Sequence, residues 1–260
     1  MQKHGKHIHH PRERICILDV EVDNLTRDEL LAQLDSGFVV TPNVDHFMLL
    51  QKDPAFRAAY AQADYRLVDS QIVYLATRFL GKPVREKISG SDLLPAFYEY
   101  HRDNPEIRIF LLGAMPGVAA RAAERINRKV GREIVVGQYS PPFDFEKDPD
   151  ECAAIVDRIN ASSATVLVVG VSAPKQEIWI ARYRKQLRRI RIFMALGATI
   201  DFEAGQVRRA PAWISRSGLE WLFRLVQEPG RLWRRYLQRD MLFPLLVIRQ
   251  RLGRYCREQA

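Results

Sequence analysis

The chain has 260 residues, 47% hydrophobic and 27% charged, with a formal net charge of +9; this suits one large α/β domain, or one domain plus an appendage, with a full core. Its three cysteines, Cys16, Cys152 and Cys256, are widely separated and odd in number, which argues against a disulfide framework and for a reducing cytosol. The longest apolar run of the tail, Met241–Ile248, contains Pro244 and is too short to cross roughly 30 Å of hydrocarbon, so a transmembrane helix is excluded while surface adsorption is not.

In chain order, residues 1–14 read as a flexible basic leader. No long apolar stretch follows them, so no signal peptide is expected. Their four histidines, His4, His7, His9 and His10, fit a solvated leader better than a metal site. Residues 15–205 alternate short β-branched runs with helical patterns. Strands are predicted at Ile15–Val22, Phe38–Thr41, Tyr65–Val68, Ile107–Leu112, Ile134–Gly137, Thr165–Gly170 and Ile190–Leu196. Apolar residues at three- and four-residue spacing predict helices at Pro116–Val130 and Asp150–Asn160. Such alternation implies parallel βαβ units and a doubly wound sheet. Continuous apolar strands such as IFLLG and VLVVG imply helices on both faces.

Residues 206–260 break the pattern and read as a basic helical appendage. They hold 12 Arg, no Lys and 4 acids, a net of +8, whereas the preceding 205 residues carry 28 bases and 27 acids. Arg224, Arg231, Arg234 and Arg235 are interleaved with Trp221, Phe223 and Trp233. Arginine forks suit phosphate, and tryptophan prefers membrane interfaces; the same ingredients could stack on and grip a nucleic acid.

Ligands of open α/β sheets bind outside the carboxyl ends of the strands. Thr41-Pro42-Asn43, Asp69-Ser70-Gln71, Gly113-Ala114, Gly170–Gln176 and Gly197–Asp201 all fall there. Asp69 reads either as the N-cap of a helix starting near Gln71 or as a general base. Thr41 and Asn43 are turn residues or its polar neighbours. The Gly113–Gly117 turn could receive phosphate, and Gln176 could offer its amide to a phosphate or sugar beside the helix start. Asp148-Pro149-Asp150 has the form of a cation-binding pair but is better explained by helix capping. No G-x-G-x-x-G fingerprint follows the first strand, which weakens an oxidoreductase reading, and no metal-ligand spacing or G-x-S-x-G elbow is found.

Together the stretches TPNVDH (41–46), AYAQADYRLVDS (59–70), EKISGSDLLP (86–95), FLLGAMPGVA (110–119), VGVSAPKQEIWI (169–180), LGATIDFEAGQVRRAPAW (196–213) and GLEWLFRLVQEPGRLWRRYL (218–237) resemble the WecG/TagA/CpsF family, glycosyltransferase family 26. The resemblance covers Cys16 to Tyr236. It implies a Rossmann-like core, with a mostly parallel sheet and helices on both faces, and a membrane-associating C-terminal appendage over 206–260. It also implies inverting, metal-independent transfer from a UDP-sugar to a polyprenyl-diphosphate-linked acceptor at the cytoplasmic membrane surface, with no cofactor. By position, the family's catalytic Asp falls on Asp69 with Thr41 and Asn43 beside it. Its active-site Gln falls on Gln176, its nucleotide-contacting Asp on Asp201 and its appendage arginines on Arg224, Arg231 and Arg234. The chain departs from the family at Ser70, where glycine is usual, and at Lys87, where an arginine is usual.

In the mechanism this implies, Asp69 is the base, while Lys87, Gln176 and tail arginines meet the leaving diphosphate. The competing expectation is a nucleic-acid-binding α/β protein, supported by the pI of about 9.6. Which sugar is moved is not encoded in any residue that can be singled out.

Overall fold

The computed structural model describes residues 12–207, 220–227, 230 and 240–255. It opens on a hairpin, β1 (Arg14–Ile17) and β2 (Val20–Asp23), paired antiparallel with Ile15 opposite Val22. The single strand expected over Ile15–Val22 is therefore two. Leu18 and Asp19 adopt φ of 47° and 61°, and two successive left-handed residues reverse a chain with the twist that a hairpin needs. Neither is glycine or asparagine, so the usual turn signature is missing.

The elements α1 (Arg27–Gln33), β3 (Gly37–Val40), α2 (Val44–Lys52), α3 (Pro54–Ala61), β4 (Tyr65–Arg66), α4 (Gln71–Phe79) and α5 (Gly90–Tyr100) follow. Next come β5 (Ile109–Gly113), α6 (Val118–Val130), β6 (Val135–Tyr139), α7 (Pro149–Ala161), β7 (Val166–Gly170), α8 (Lys175–Tyr183), β8 (Ile192–Ala195) and α9 (Thr199–Glu203). In the tail, α10 (Glu220–Gln227) and α11 (Leu242–Arg251) are described. Local chemistry accounts for the helix starts. Thr26 and Glu29 form a capping box on α1, Asn43 caps α2, and Ser89 caps α5. The Asp148 side chain accepts from the amides of Asp150 and Glu151 at the head of α7, the capping role expected of that acidic pair.

Strands β3 to β8 form one sheet in the order β4-β3-β8-β7-β5-β6, every pair parallel. This is the Rossmann-like α/β arrangement. Side chains alternate across it with period two. Val39, Leu111, Val168 and Met194 pack with Leu30, Leu93, Ala122 and Ile200 on the face covered by α1, α5, α6 and α9. Val40, Leu112, Val169 and Ala195 pack with Phe56, Ile155 and Trp179 on the face covered by α3, α7 and α8. Burial on both sides explains why these strands read as unbroken apolar runs.

A third cluster joins the hairpin, α2, α4 and α11 through Ile17, Leu18, Phe47, Val73, Phe243 and Val247. Phe243 is 1% exposed, and its ring centroid lies 5.7 Å from that of Phe47. Polar contacts pin the same helix. The Gln250 amide accepts from the Leu18 N–H at 2.9 Å and donates to the Cys16 carbonyl at 3.1 Å, while Arg251 donates to the Leu80 carbonyl at 3.0 Å. The helix thus clamps the left-handed turn of the hairpin.

Phe243→Ala should cost about 3 kcal/mol of stability, the usual penalty for emptying a buried phenylalanine site. Urea denaturation of the full chain checks this; a loss below about 1 kcal/mol would mean that α11 is not part of the cooperative core.

Candidate active site

Strand order places the five predicted loop ends side by side along one rim. Asp69 follows β4; Thr41 and Asn43 follow β3; Gly197 and Asp201 follow β8; Gln176 follows β7; and Gly113 ends β5. The chain leaves β3 towards α2 and α3 on one face and leaves β8 towards α9 on the other. Adjacent parallel strands whose connections depart to opposite faces open a crevice between their carboxyl ends. By that rule the β3 and β8 ends form one candidate crevice, with Thr41, Asn43 and the neighbouring Asp69 on one side and Gly197 and Asp201 on the other.

Asp69 sits half-buried, its backbone N–H donating to the Pro42 carbonyl at 3.1 Å, which ties the two loop ends together. It does not cap α4. Ser70 does so, with its hydroxyl accepting from the Val73 N–H at 3.2 Å and its φ at −96°. The serine that replaces the family's glycine thus sits in extended backbone open to any residue and takes over the capping duty. The Asp69 carboxyl is relieved of it. Lys87 is brought beside this turn because the next residue, Ile88, donates to the Val68 carbonyl at 2.8 Å. Thr41 is 4% exposed, and the Asn43 side chain accepts from the His46 N–H at 3.2 Å, so part of the role of Asn43 is to cap α2.

On the other side, strand-end glycines let backbones touch. A Cβ on Gly113 would lie 2.5 Å from the Gly170 carbonyl oxygen, and one on Gly170 would lie 2.6 Å from that of Gly197. Three adjacent strand ends are thus nested with no room for a side chain. Gly113, Ala114 and Gly117 have φ of 130°, 60° and 80°, which shapes the turn expected to receive phosphate. Gln176 is 1% exposed. Its Oε1 accepts from the Gly197 N–H at 3.1 Å and its Nε2 donates to Glu177 Oε1 at 2.8 Å. The amide read from sequence as reaching towards a ligand is turned inward here and holds the start of the β8–α9 turn. Lys175 is neutralised by Asp144 at 2.6 Å and Glu146 at 2.8 Å.

Below the rim lies a polar cluster that sequence reasoning missed. Glu177 is fully buried. Burial pushes its pKa up to about 7, against the opposing hydrogen bond from Gln176, and Asp45 adds a smaller push in the same upward direction. Tyr60 is also fully buried, and its hydroxyl is raised well above the ordinary phenol value by burial and then by the charges of Glu177 and Asp69. Its oxygen lies 2.5 Å from His46 Nδ1. The only sequence signal for Glu177 was an acid in a first helical turn, which an ordinary helix start explains equally well.

The Arg224 side chain falls outside the described residues, as do Arg231, Arg234 and Arg235.

The folded chain raises Glu177 from 4.5 to about 7, so the folded state holds a proton that the unfolded chain releases. Stability from this group is full below about pH 4.5 and is lost as pH rises through about 7. Glu177→Gln should therefore gain about 3 kcal/mol over wild type at about pH 8 and nothing at about pH 4.5. Denaturant midpoints at the two pH values check it; equal midpoints at the higher pH would contradict the buried acid.

The sequence matches the glycosyl transferase WecG/TagA/CpsF family over residues 15–257. A relative from Bacillus spizizenii, named N-acetylglucosaminyldiphosphoundecaprenol N-acetyl-beta-D-mannosaminyltransferase, is 33% identical over 207 residues, 80% of this chain and 77% of that protein. Thr41, Asn43, Asp69, Gln176 and Asp201 follow strand ends along one rim of a Rossmann-like sheet, and the match runs over nearly the whole length: the chain belongs to the WecG/TagA/CpsF family of glycosyltransferases.

Proposed function

We propose that the chain moves a sugar from a UDP-sugar to a saccharide carried on a polyprenyl diphosphate, with inversion and without a metal, in bacterial surface polysaccharide synthesis. The observation that carries this reading is Asp69: a half-buried residue at the sheet rim, next to the Ser70 cap of α4 and two strands from the turn that runs from Gly197 to Asp201. The relative's name supports the acceptor class, since it specifies an N-acetylglucosaminyl group on diphosphoundecaprenol and a transferred N-acetylmannosaminyl group.

In this reading Asp69 takes the proton of the acceptor hydroxyl as that oxygen attacks the anomeric carbon. The bond from the anomeric carbon to the UDP oxygen breaks on the opposite face, and UDP leaves with the electron pair. Lys87 and the backbone N–H groups of the Gly113–Gly117 turn meet the growing charge. Asp201 contacts the nucleotide, while Arg224, Arg231, Arg234 and Arg235 grip the acceptor diphosphate with guanidinium forks. Thr41 and Asn43 orient the acceptor beside Asp69. Asp69→Asn should lower transfer by at least about a hundredfold while UDP affinity stays within about twofold. Near-normal turnover would remove Asp69 from the role of base.

The proposed place of action is the inner membrane surface. Among the described residues no helix is long and apolar enough to span a bilayer. The outer side of α11 nevertheless exposes Met241, Leu242, Leu245, Ile248 and Leu252, and α4 exposes Leu75 and Phe79. Arg78, Lys82, Arg249, Arg251 and Arg254 stand exposed around them. An apolar stripe ringed by cations suits an anionic bilayer surface. Replacing Leu245 and Ile248 together by Glu should abolish sedimentation with anionic liposomes while UDP binding persists. Retained sedimentation would overturn this docking face, and a gel shift with RNA in place of liposome binding would favour the nucleic-acid reading.

A further inference from the structure

Gln176 and Gly197 are linked by a bond whose direction matters. The oxygen and nitrogen of a primary amide are nearly isosteric, and only hydrogen-bond partners decide which faces which way. The backbone N–H of Gly197 can only donate, so it needs the amide oxygen. A flipped Gln176 would set its NH2 against that N–H, donor to donor. What prevents the flip is on the other side: Glu177 Oε1 lies 2.8 Å from Gln176 Nε2 and can only accept there.

The Glu177 carboxyl has little else to hold it. It is fully buried, and its Oε2 has no hydrogen-bond partner among the described residues. The ionisable groups that act on it are Asp45 from α2 and Tyr60 from α3, and Tyr60 in turn lies 2.5 Å from His46 Nδ1 and feels the charge of Asp69. A negative charge here would face Asp45 in a dry interior, whereas the protonated acid places its hydrogen on Oε2 and still offers Oε1 to Gln176.

We propose that Glu177 is a positioning residue for the nucleotide side of the crevice: it fixes the orientation of the Gln176 amide, and through that amide the Gly197 N–H and the turn that presents Asp201. Burial favours the protonated acid and the Gln176 hydrogen bond favours the carboxylate, so the amide is held in both forms and more tightly once Glu177 ionises, which gives the site a built-in sensitivity to pH. What the turn is used for rests on the glycosyltransferase reading; the linkage between the three residues does not.

Two measurements on the full-length protein separate those two statements. The first follows the Gly197 amide nitrogen shift by NMR through the neutral range. It should titrate with a midpoint near 7 in wild type, the value to which Glu177 is raised, and should not titrate in Glu177→Gln, which keeps an acceptor oxygen and cannot ionise. A Gly197 signal that does not titrate in wild type, or that still titrates in Glu177→Gln, overturns the proposal whatever the enzyme does. The second uses UDP-sugar turnover. Glu177→Leu should raise the donor KM about tenfold with a smaller change in kcat, as expected when one orienting hydrogen bond is lost, and Glu177→Gln should restore KM. An unchanged KM in Glu177→Leu, or a Gln variant as impaired as Leu, overturns it. Absence of any UDP-sugar turnover in wild type would instead count against the function reading, and the NMR titration then decides the linkage alone.

Discussion

The hydrogen bond from the Gly197 N–H to Gln176 Oε1, 3.1 Å long, joins the start of α8 to the end of β8, and much of the rim depends on it. The backbones of Gly113, Gly170 and Gly197 already touch, so β5, β7 and β8 end in a fixed relation to one another. Touching backbones fix where the strands stop but not how the following turn leaves. Gln176 settles that for β8. The ladder then carries the order across the crevice, since Val40 pairs with Ala195 and Arg66 with Val40. The walls bearing Asp69 and Asp201 are therefore parts of one hydrogen-bonded sheet, not separate lobes that must find each other.

Stability alone would not select the cluster beneath this rim. A fully buried acid beside a second acid is a standing penalty near neutral pH, and an apolar residue of similar shape would remove it. Groups so perturbed concentrate where a chain needs them for binding or chemistry. The cluster also lies where it can matter: Glu177 holds Gln176, and Tyr60 feels both Glu177 and Asp69. Trp179 and Tyr183 fill the space on the next turns of α8 and keep water away. Dry surroundings raise the acid's proton affinity and also strengthen the bonds it makes.

The sheet was legible because its strands are buried on both faces, which leaves apolar runs that few other structures produce. The loop ends were legible because polar residues directly after such runs have few structural reasons to be there. The hairpin was not: Leu18 and Asp19 adopt left-handed backbone without glycine or asparagine, and the force that holds them there comes from Gln250, 232 residues away. The cap on α4 could not be told from sequence because Asp69 and Ser70 both cap helices well, and only geometry shows which oxygen meets the Val73 N–H. Glu177 was hidden for a similar reason. Its burial comes from α3 packing on α8, a tertiary fact with no local signature, and an acid in a first helical turn has an ordinary explanation in every protein.

The last helix brings the two themes together. It is apolar on both sides: Phe243 and Val247 face the core, while Leu245, Ile248 and Leu252 face out. A helix that is apolar all round is normally covered all round, and a contiguous exposed stripe is far less common than scattered exposed leucines. Its inner side shares a cluster with Val73 and Ala76 of α4, and α4 begins two residues after Asp69. Whatever covers the outer side of α11 therefore bears on the element that follows the proposed base. If the proposed acceptor is carried in a bilayer, that bilayer would cover this face and press on the helix that follows Asp69. Under the proposed reading, a bare apolar stripe on α11 that shares a core with the helix following Asp69 is a physically economical way to make docking and catalysis the same event.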